Sequence, residues 1–162
     1  MDDTFQFALI DLIGNDVPEL VADHSGYDVS VFTWVDEEVI TVMDQWSYGA
    51  MGNMGYEYLP GRNVIRNYNM ESAGAIIYEV YMMVDDNYEV VNIFSEDLSI
   101  RYIRDTNANG IIDEEDEYSD EPVYYCNETE ISEEEYVSWQ ITGDYERIAG
   151  DMSADAMIDL LQ

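Results

Sequence analysis

Thirty-seven Asp and Glu side chains stand against five Arg and no Lys, a formal net charge of −32 on 162 residues, and any fold must accommodate it. Carboxylates cannot be buried without partners, so most must occupy turns and the solvent-facing positions of strands. Disorder is the usual fate of so acidic a chain, but here 47% of residues are hydrophobic, with 14 Tyr, 3 Trp and 4 Phe. Disordered chains are poor in aromatics. A folded core under an acidic surface is expected, in a chain of single-domain length.

The same charge selects partners. It repels nucleic-acid phosphates and anionic membranes, and it favours cations, basic proteins and neutral ligands. No run of apolar residues reaches the roughly 18–20 of a membrane span, so direct membrane insertion is not expected. Cys126 is the only cysteine, which rules out an intrachain disulfide. The first residues, Met1-Asp-Asp-Thr, lack the basic and apolar segments of a signal peptide, so the chain reads either as cytoplasmic or as part of a longer exported precursor.

Within the chain, apolar residues recur mostly at every second position. Phe5, Phe7 and Leu9 form one such run, followed by Leu20–Ala22, Tyr27–Trp34 and Val39–Met43. Residues 63–68, 75–84, 88–94, 98–104 and 123–125 continue the pattern, with turn residues between them. His24 falls in one of these turns and reads as a solvated residue. Ser132-Glu-Glu-Glu135 is a capping box that opens a helix, and Ser153 caps a second helix with Ala156, Met157, Leu160 and Leu161 as its apolar side. The predicted fold is α+β, mainly antiparallel β: a single domain with a meander sheet over about 5–126 and a helical part over about 131–162.

One stretch carries metal chemistry. Asp105-Thr-Asn-Ala-Asn-Gly-Ile-Ile-Asp-Glu-Glu-Asp116 fits the calcium-loop pattern D-x-[DN]-x-[DN]-G in its first six positions. Calcium takes six to eight oxygens, so a loop must coil tightly and turn alternate side chains inward. Asp105, Asn107 and Asn109 would supply side-chain oxygens, Gly110 the sharp turn, Ile111 its carbonyl, and Asp113 and Asp116 the later ligands. Asp116 replaces the Glu of the pattern and is one methylene shorter. The run resembles the EF-hand-like calcium loops of dockerin modules, although the β-prone Val123-Tyr124-Tyr125 follows where a dockerin has a helix.

A second resemblance covers more of the chain. Phe7-Ala-Leu-Ile-Asp-Leu-Ile-Gly-Asn-Asp-Val-Pro-Glu-Leu20 resembles the strand–loop–strand unit F-A-L-x-D-x-[DN]-G-D-G-x-P-E-L of exported proteins and lipoproteins from Gram-positive gut bacteria. That loop is similar to the FG-GAP calcium loops of integrin-type propellers. Tyr58-Leu-Pro-Gly-Arg62 and Ile131-Ser-Glu-Glu-Glu-Tyr136 are similar to later segments of the same proteins. The resemblance implies a β-rich, exported or cell-surface protein. In the first loop Asp11, Asn15 and Glu19 match ligand positions, whereas Ile13 and Asp16 replace an oxygen donor and the turn glycine.

Between residues 45 and 61, Trp46, Tyr48, Met51, Met54, Tyr56 and Tyr58 interleave with glycines, a composition of binding loops and of loops folded back onto a sheet. Trp46, Tyr48 and Tyr56 are the candidate contacts for a protein or carbohydrate ligand. The sequence contains no G-x-S-x-G, H-E-x-x-H or P-loop motif. The expected function is that of a non-enzymatic, calcium-stabilised binding module. The alternatives are an acidic nucleic-acid mimic that binds a basic protein, and a hydrolase using two carboxylates.

Overall fold

The computed structural model describes residues 5–49, 53–71, 76–97, 102–103, 109, 118–119 and 122–162. The first four strands, β1 (Phe5–Ile10), β2 (Glu19–His24), β3 (Asp28–Val35) and β4 (Glu38–Ser47), form an antiparallel meander in the order β1-β2-β3-β4. A larger sheet is built from β5 (Asn53–Leu59), β6 (Val64–Glu71), β7 (Ile76–Val84) and β8 (Val90–Asp97). Strands β9 (Tyr102–Ile103) and β10 (Tyr118–Ser119) pair with each other. Next come β11 (Val123–Cys126), β12 (Thr129–Ile131), helix α1 (Glu133–Trp139), β13 (Glu146–Arg147) and helix α2 (Ala154–Leu160). The larger sheet has the order β12-β11-β8-β7-β6-β5-β13.

The mainly antiparallel β fold is therefore as expected, but the single meander is divided. The division falls in the glycine- and aromatic-rich stretch predicted as one loop over 45–61. Instead β4 runs on to Ser47 and β5 begins at Asn53, because aromatics and Met suit a half-buried strand as well as a loop. Acidic residues take the tight turns. Asp36 and Glu37 have φ of 49° and 68°, and Asn127 and Glu128 have 47° and 66°. Two successive left-handed residues are what a two-residue hairpin matching the strand twist requires.

One buried cluster is shared by the two sheets, with Ala8, Val21, Val29, Val31 and Met43 from the first and Tyr58, Ile65, Met82 and Val84 from the second. Each fully buried aliphatic side chain contributes about 1.5–3 kcal/mol. On β2 the inward positions are Glu19, Val21 and Asp23, so two carboxylates face the core. Glu19, matched in sequence to a loop ligand position, and Asp23 are thus core-facing residues of the strand.

The predicted helical C-terminal part contains a segment of another kind. Ser132 and Ser153 cap α1 and α2 as expected, each accepting a backbone N–H at 3.2 Å. Between the helices, β13 pairs with the edge of β5, and Ile148 N–H donates to the Tyr56 carbonyl at 2.9 Å. The chain then crosses to β1, where Phe7 and Met152 exchange hydrogen bonds of 2.8 and 2.9 Å. Residues 146–152 thus tie one sheet to the other. Gly150 makes the crossing possible, since a Cβ there would lie 2.3 Å from the Gln6 carbonyl carbon. In α2 only Met157 is buried, and Leu160 and Leu161, expected on its apolar side, are exposed.

Candidate functional site

The calcium motif lies mostly outside the described residues: Asp105, Asn107, Ile111, Asp113 and Asp116 are not described, and Asn109 is an exposed bend. Its surroundings are described. Tyr118 pairs with Ile103 and Ser119 with Tyr102, so the chain entering the 104–117 segment and the chain leaving it lie side by side in one antiparallel ladder.

In the first loop the matching residues are engaged with the protein itself. Asp11 Oδ1 accepts the Gly14 N–H at 2.8 Å, and Asn15 Oδ1 accepts the Val17 N–H at 3.1 Å. Glu19 is fully buried, accepting from Leu12 N–H at 2.8 Å and from the Thr33 hydroxyl at 3.2 Å. Burial raises its pKa, and the two hydrogen bonds oppose that shift. These carboxylate and amide oxygens hold the loop's own backbone. Among the described residues, no three His, Cys, Asp or Glu side chains gather as a metal-binding group.

Trp46, Tyr48 and Tyr56 stand where the two sheets meet. Trp46 and Tyr56 are partly buried against the core, with ring centroids 5.4 Å apart, and the Tyr56 hydroxyl donates to the Ser47 carbonyl at 3.1 Å. Tyr48 is buried. Its hydroxyl donates to Asp23 and accepts the Gly26 N–H at 3.0 Å, while Asp23 also accepts from Gly150 N–H. His24 is not a solvated turn residue but ends β2, stacked between the rings of Phe5 and Tyr27 at 4.7 and 4.6 Å.

The outer face of the larger sheet carries a second group of side chains, which no sequence motif marks. Strand register places Glu57, Arg66, Tyr81 and Phe94 in one row across β5 to β8, and Tyr68, Glu79, Glu96 and Tyr124 in the next row across β6 to β11. Arg66 bonds Glu57 at 2.6 Å and stacks over the Tyr145 ring at 3.9 Å. Helix α1 covers part of the face. Its Tyr136 ring packs on Tyr124 and Tyr81, with centroids 4.8 and 6.2 Å away, and Trp139 stacks on Phe94 at 5.1 Å. A cleft of about 160 Å³ opens on the face over β5 to β7, lined by Glu57, Arg66, Asn67, Tyr68, Glu79 and Tyr81.

The electrostatics of this face are one-sided. Glu79 and Glu96 are direct cross-strand partners, an arrangement in which like charges repel. Desolvation raises the Glu96 pKa, and the charges of Glu79 and Glu133 raise it further. Among the described residues, no cation pairs with any of these three glutamates. Tyr136 is 1% exposed, and among the described residues its hydroxyl makes no hydrogen bond of strict geometry. The Gln140 side chain approaches the hydroxyl as a hydrogen-bond partner, closely enough to lower its pKa, but outside strict hydrogen-bond geometry. Burial raises the Tyr136 pKa strongly, and the neighbouring charges that add to this are Glu96, Tyr81 and Glu79. The available signal in the sequence was the strand Ile76–Val84, where Glu79 interrupts an apolar run on the face opposite Val80 and Met82.

Compared with protein-family models, with curated proteins and with solved structures, the chain matches none. Fold and site define an antiparallel β protein built on two large sheets, with an acidic, tyrosine-lined outer face on the larger.

Proposed function

We propose that this chain is a non-catalytic binding module of an exported or cell-surface protein, with calcium in the 105–116 loop holding it in shape. The observation that supports it is the β9–β10 ladder. A loop whose two ends are already paired begins and finishes at one place, which lowers the cost of wrapping twelve residues around an ion. Three carboxylates, two amide oxygens and a carbonyl form an all-oxygen donor set, which suits calcium at the weak affinities of sensors and extracellular modules, about 10⁻⁵–10⁻³ M. Bound calcium also offsets part of the repulsion within an acidic chain.

The test is a thermal melt in calcium, in magnesium at matched ionic strength and in EDTA. A site filled at a hundredfold excess over Kd stabilises by about 2.7 kcal/mol. For a domain of this size, that is a Tm rise of roughly 5–10 °C. The rise should be specific to calcium and absent in Asp105→Ala. Equal effects of calcium and magnesium in both proteins would reduce the loop to an acidic turn.

The carboxylate-hydrolase reading has one observation in its favour, the Glu79–Glu96 pair, whose Cβ atoms as cross-strand partners stand about 5 Å apart. Size argues against it. The neighbouring cleft of about 160 Å³ is below the roughly 300–1,000 Å³ of small-molecule sites, so it suits a single functional group better than a substrate.

A further inference from the structure

We propose that the outer face of the larger sheet is a binding site for a primary alkylammonium group, seated between Glu79 and Glu96 against the tyrosines of β7, β11 and α1. The proposal depends on the binding-module reading but not on the calcium loop.

The site combines three observations. Glu79 and Glu96 face each other across β7 and β8 with Glu133 nearby, and no cation of the described residues neutralises them. Two like charges held on adjacent strands cost stability unless a cation joins them. The second observation is the Tyr136 hydroxyl, buried, with no hydrogen bond of strict geometry among the described residues, approached only by the Gln140 side chain, and under the influence of those two carboxylates. A buried polar group without a well-formed hydrogen bond costs stability, which a ligand can recover. The third is the ring of aromatics. Tyr81 and Tyr124 flank Tyr136, so a cation held between Glu79 and Glu96 lies beside aromatic rings as well as carboxylates.

The shape of the donor set selects the cation. An ammonium is a compact charge with three N–H donors, and Glu79, Glu96 and the Tyr136 oxygen are three acceptors. The planar guanidinium of Arg66 already occupies the neighbouring row, paired with Glu57. The ammonium has two possible sources, a lysine side chain on a partner protein or a free polyamine.

The test is a titration followed by NMR, with calcium present, at about 0.15 M salt, where the screening length of about 8 Å suppresses diffuse attraction to the charged surface. The probes are Nα-acetyl-lysine methylamide, its neutral Nε-acetylated analogue, and spermidine. Saturable shifts of the Tyr81 and Tyr124 ring signals are expected with the first probe and not with the second. Glu79→Gln and Glu96→Gln should each weaken binding about tenfold, as expected for loss of a charged hydrogen-bond partner. Tyr136→Phe should weaken binding without lowering Tm. Glu38→Gln, an equal change of charge on an exposed residue of the other sheet, should leave it unchanged. Saturation by spermidine alone would assign the ammonium to a free polyamine. Equal losses in Glu38→Gln and Glu79→Gln, equal binding of the acetylated analogue, or no saturable shift with either amine would overturn the proposal. Each readout is independent of the calcium melt, so the two readings fail separately.

Discussion

Replacing Glu19 tests how this acidic chain keeps a carboxylate in its core. The side chain is fully buried, and its two oxygens take the Leu12 N–H at 2.8 Å and the Thr33 hydroxyl at 3.2 Å. Glu19→Ala strands the Leu12 amide, whose bond to a charged acceptor is worth about 1.5–3 kcal/mol. It also leaves a cavity where the carboxyl group stood, a cost partly offset because no buried charge remains. The net loss should be about 3 kcal/mol, a fall in Tm of roughly 6–12 °C for a domain of this size. Glu19→Gln keeps the volume and one acceptor oxygen for Leu12, and its amide can donate to a reoriented Thr33 hydroxyl. It should lie within about 1 kcal/mol of the parent near neutral pH.

The pH dependence separates these cases. The folded pKa of Glu19 is raised above 4.5 by burial, so folding favours the protonated form. Its stabilising contribution is therefore complete below about 4.5 and is lost as pH rises through the higher folded value. Other carboxylates also titrate, so the informative quantity is the stability difference between parent and Glu19→Gln, measured by urea denaturation from pH 4 to about 8. The parent should lose ground to the Gln variant as pH rises. A constant difference across that range would refute the raised pKa, and an Ala variant as stable as the parent would refute the structural role of the two hydrogen bonds.

Two further substitutions probe the connection between the sheets. Gly150→Ala forces a Cβ to within 2.3 Å of the β1 backbone, and should cost about 3 kcal/mol and speed amide exchange at Phe7 and Met152 selectively. Tyr48→Phe removes a hydroxyl that donates to buried Asp23, and should lower stability in urea by about 1–3 kcal/mol. The same change at Tyr136 removes a hydroxyl that makes no hydrogen bond of strict geometry among the described residues, and without an added amine it should be neutral or mildly stabilising.

What the sequence made legible follows from the range over which each signal acts. Strand alternation and helix caps are local, and β1 to β4, β6 to β8, β11 and the Ser132 and Ser153 caps stand where local rules put them, whereas β5, β12 and β13 do not. The division into two sheets was not legible, because the sequence of residues 45–61 satisfies the rules for a loop and for paired strands equally well. Only the pairing of β5 with β6 and β13 decides between them. Carboxylates were the hardest to read. Charge alone assigns every acid to the surface, yet Glu19 and Asp23 are buried because backbone amides and hydroxyls reach them from residues 12, 33, 48 and 150. Glu79 and Glu96 meet through a register that no spacing in the chain encodes. In so acidic a protein the informative carboxylates are those whose partners identify them: backbone and hydroxyl donors at Glu19, and, with no cation among the described residues, a second carboxylate beside a buried tyrosine hydroxyl at Glu96.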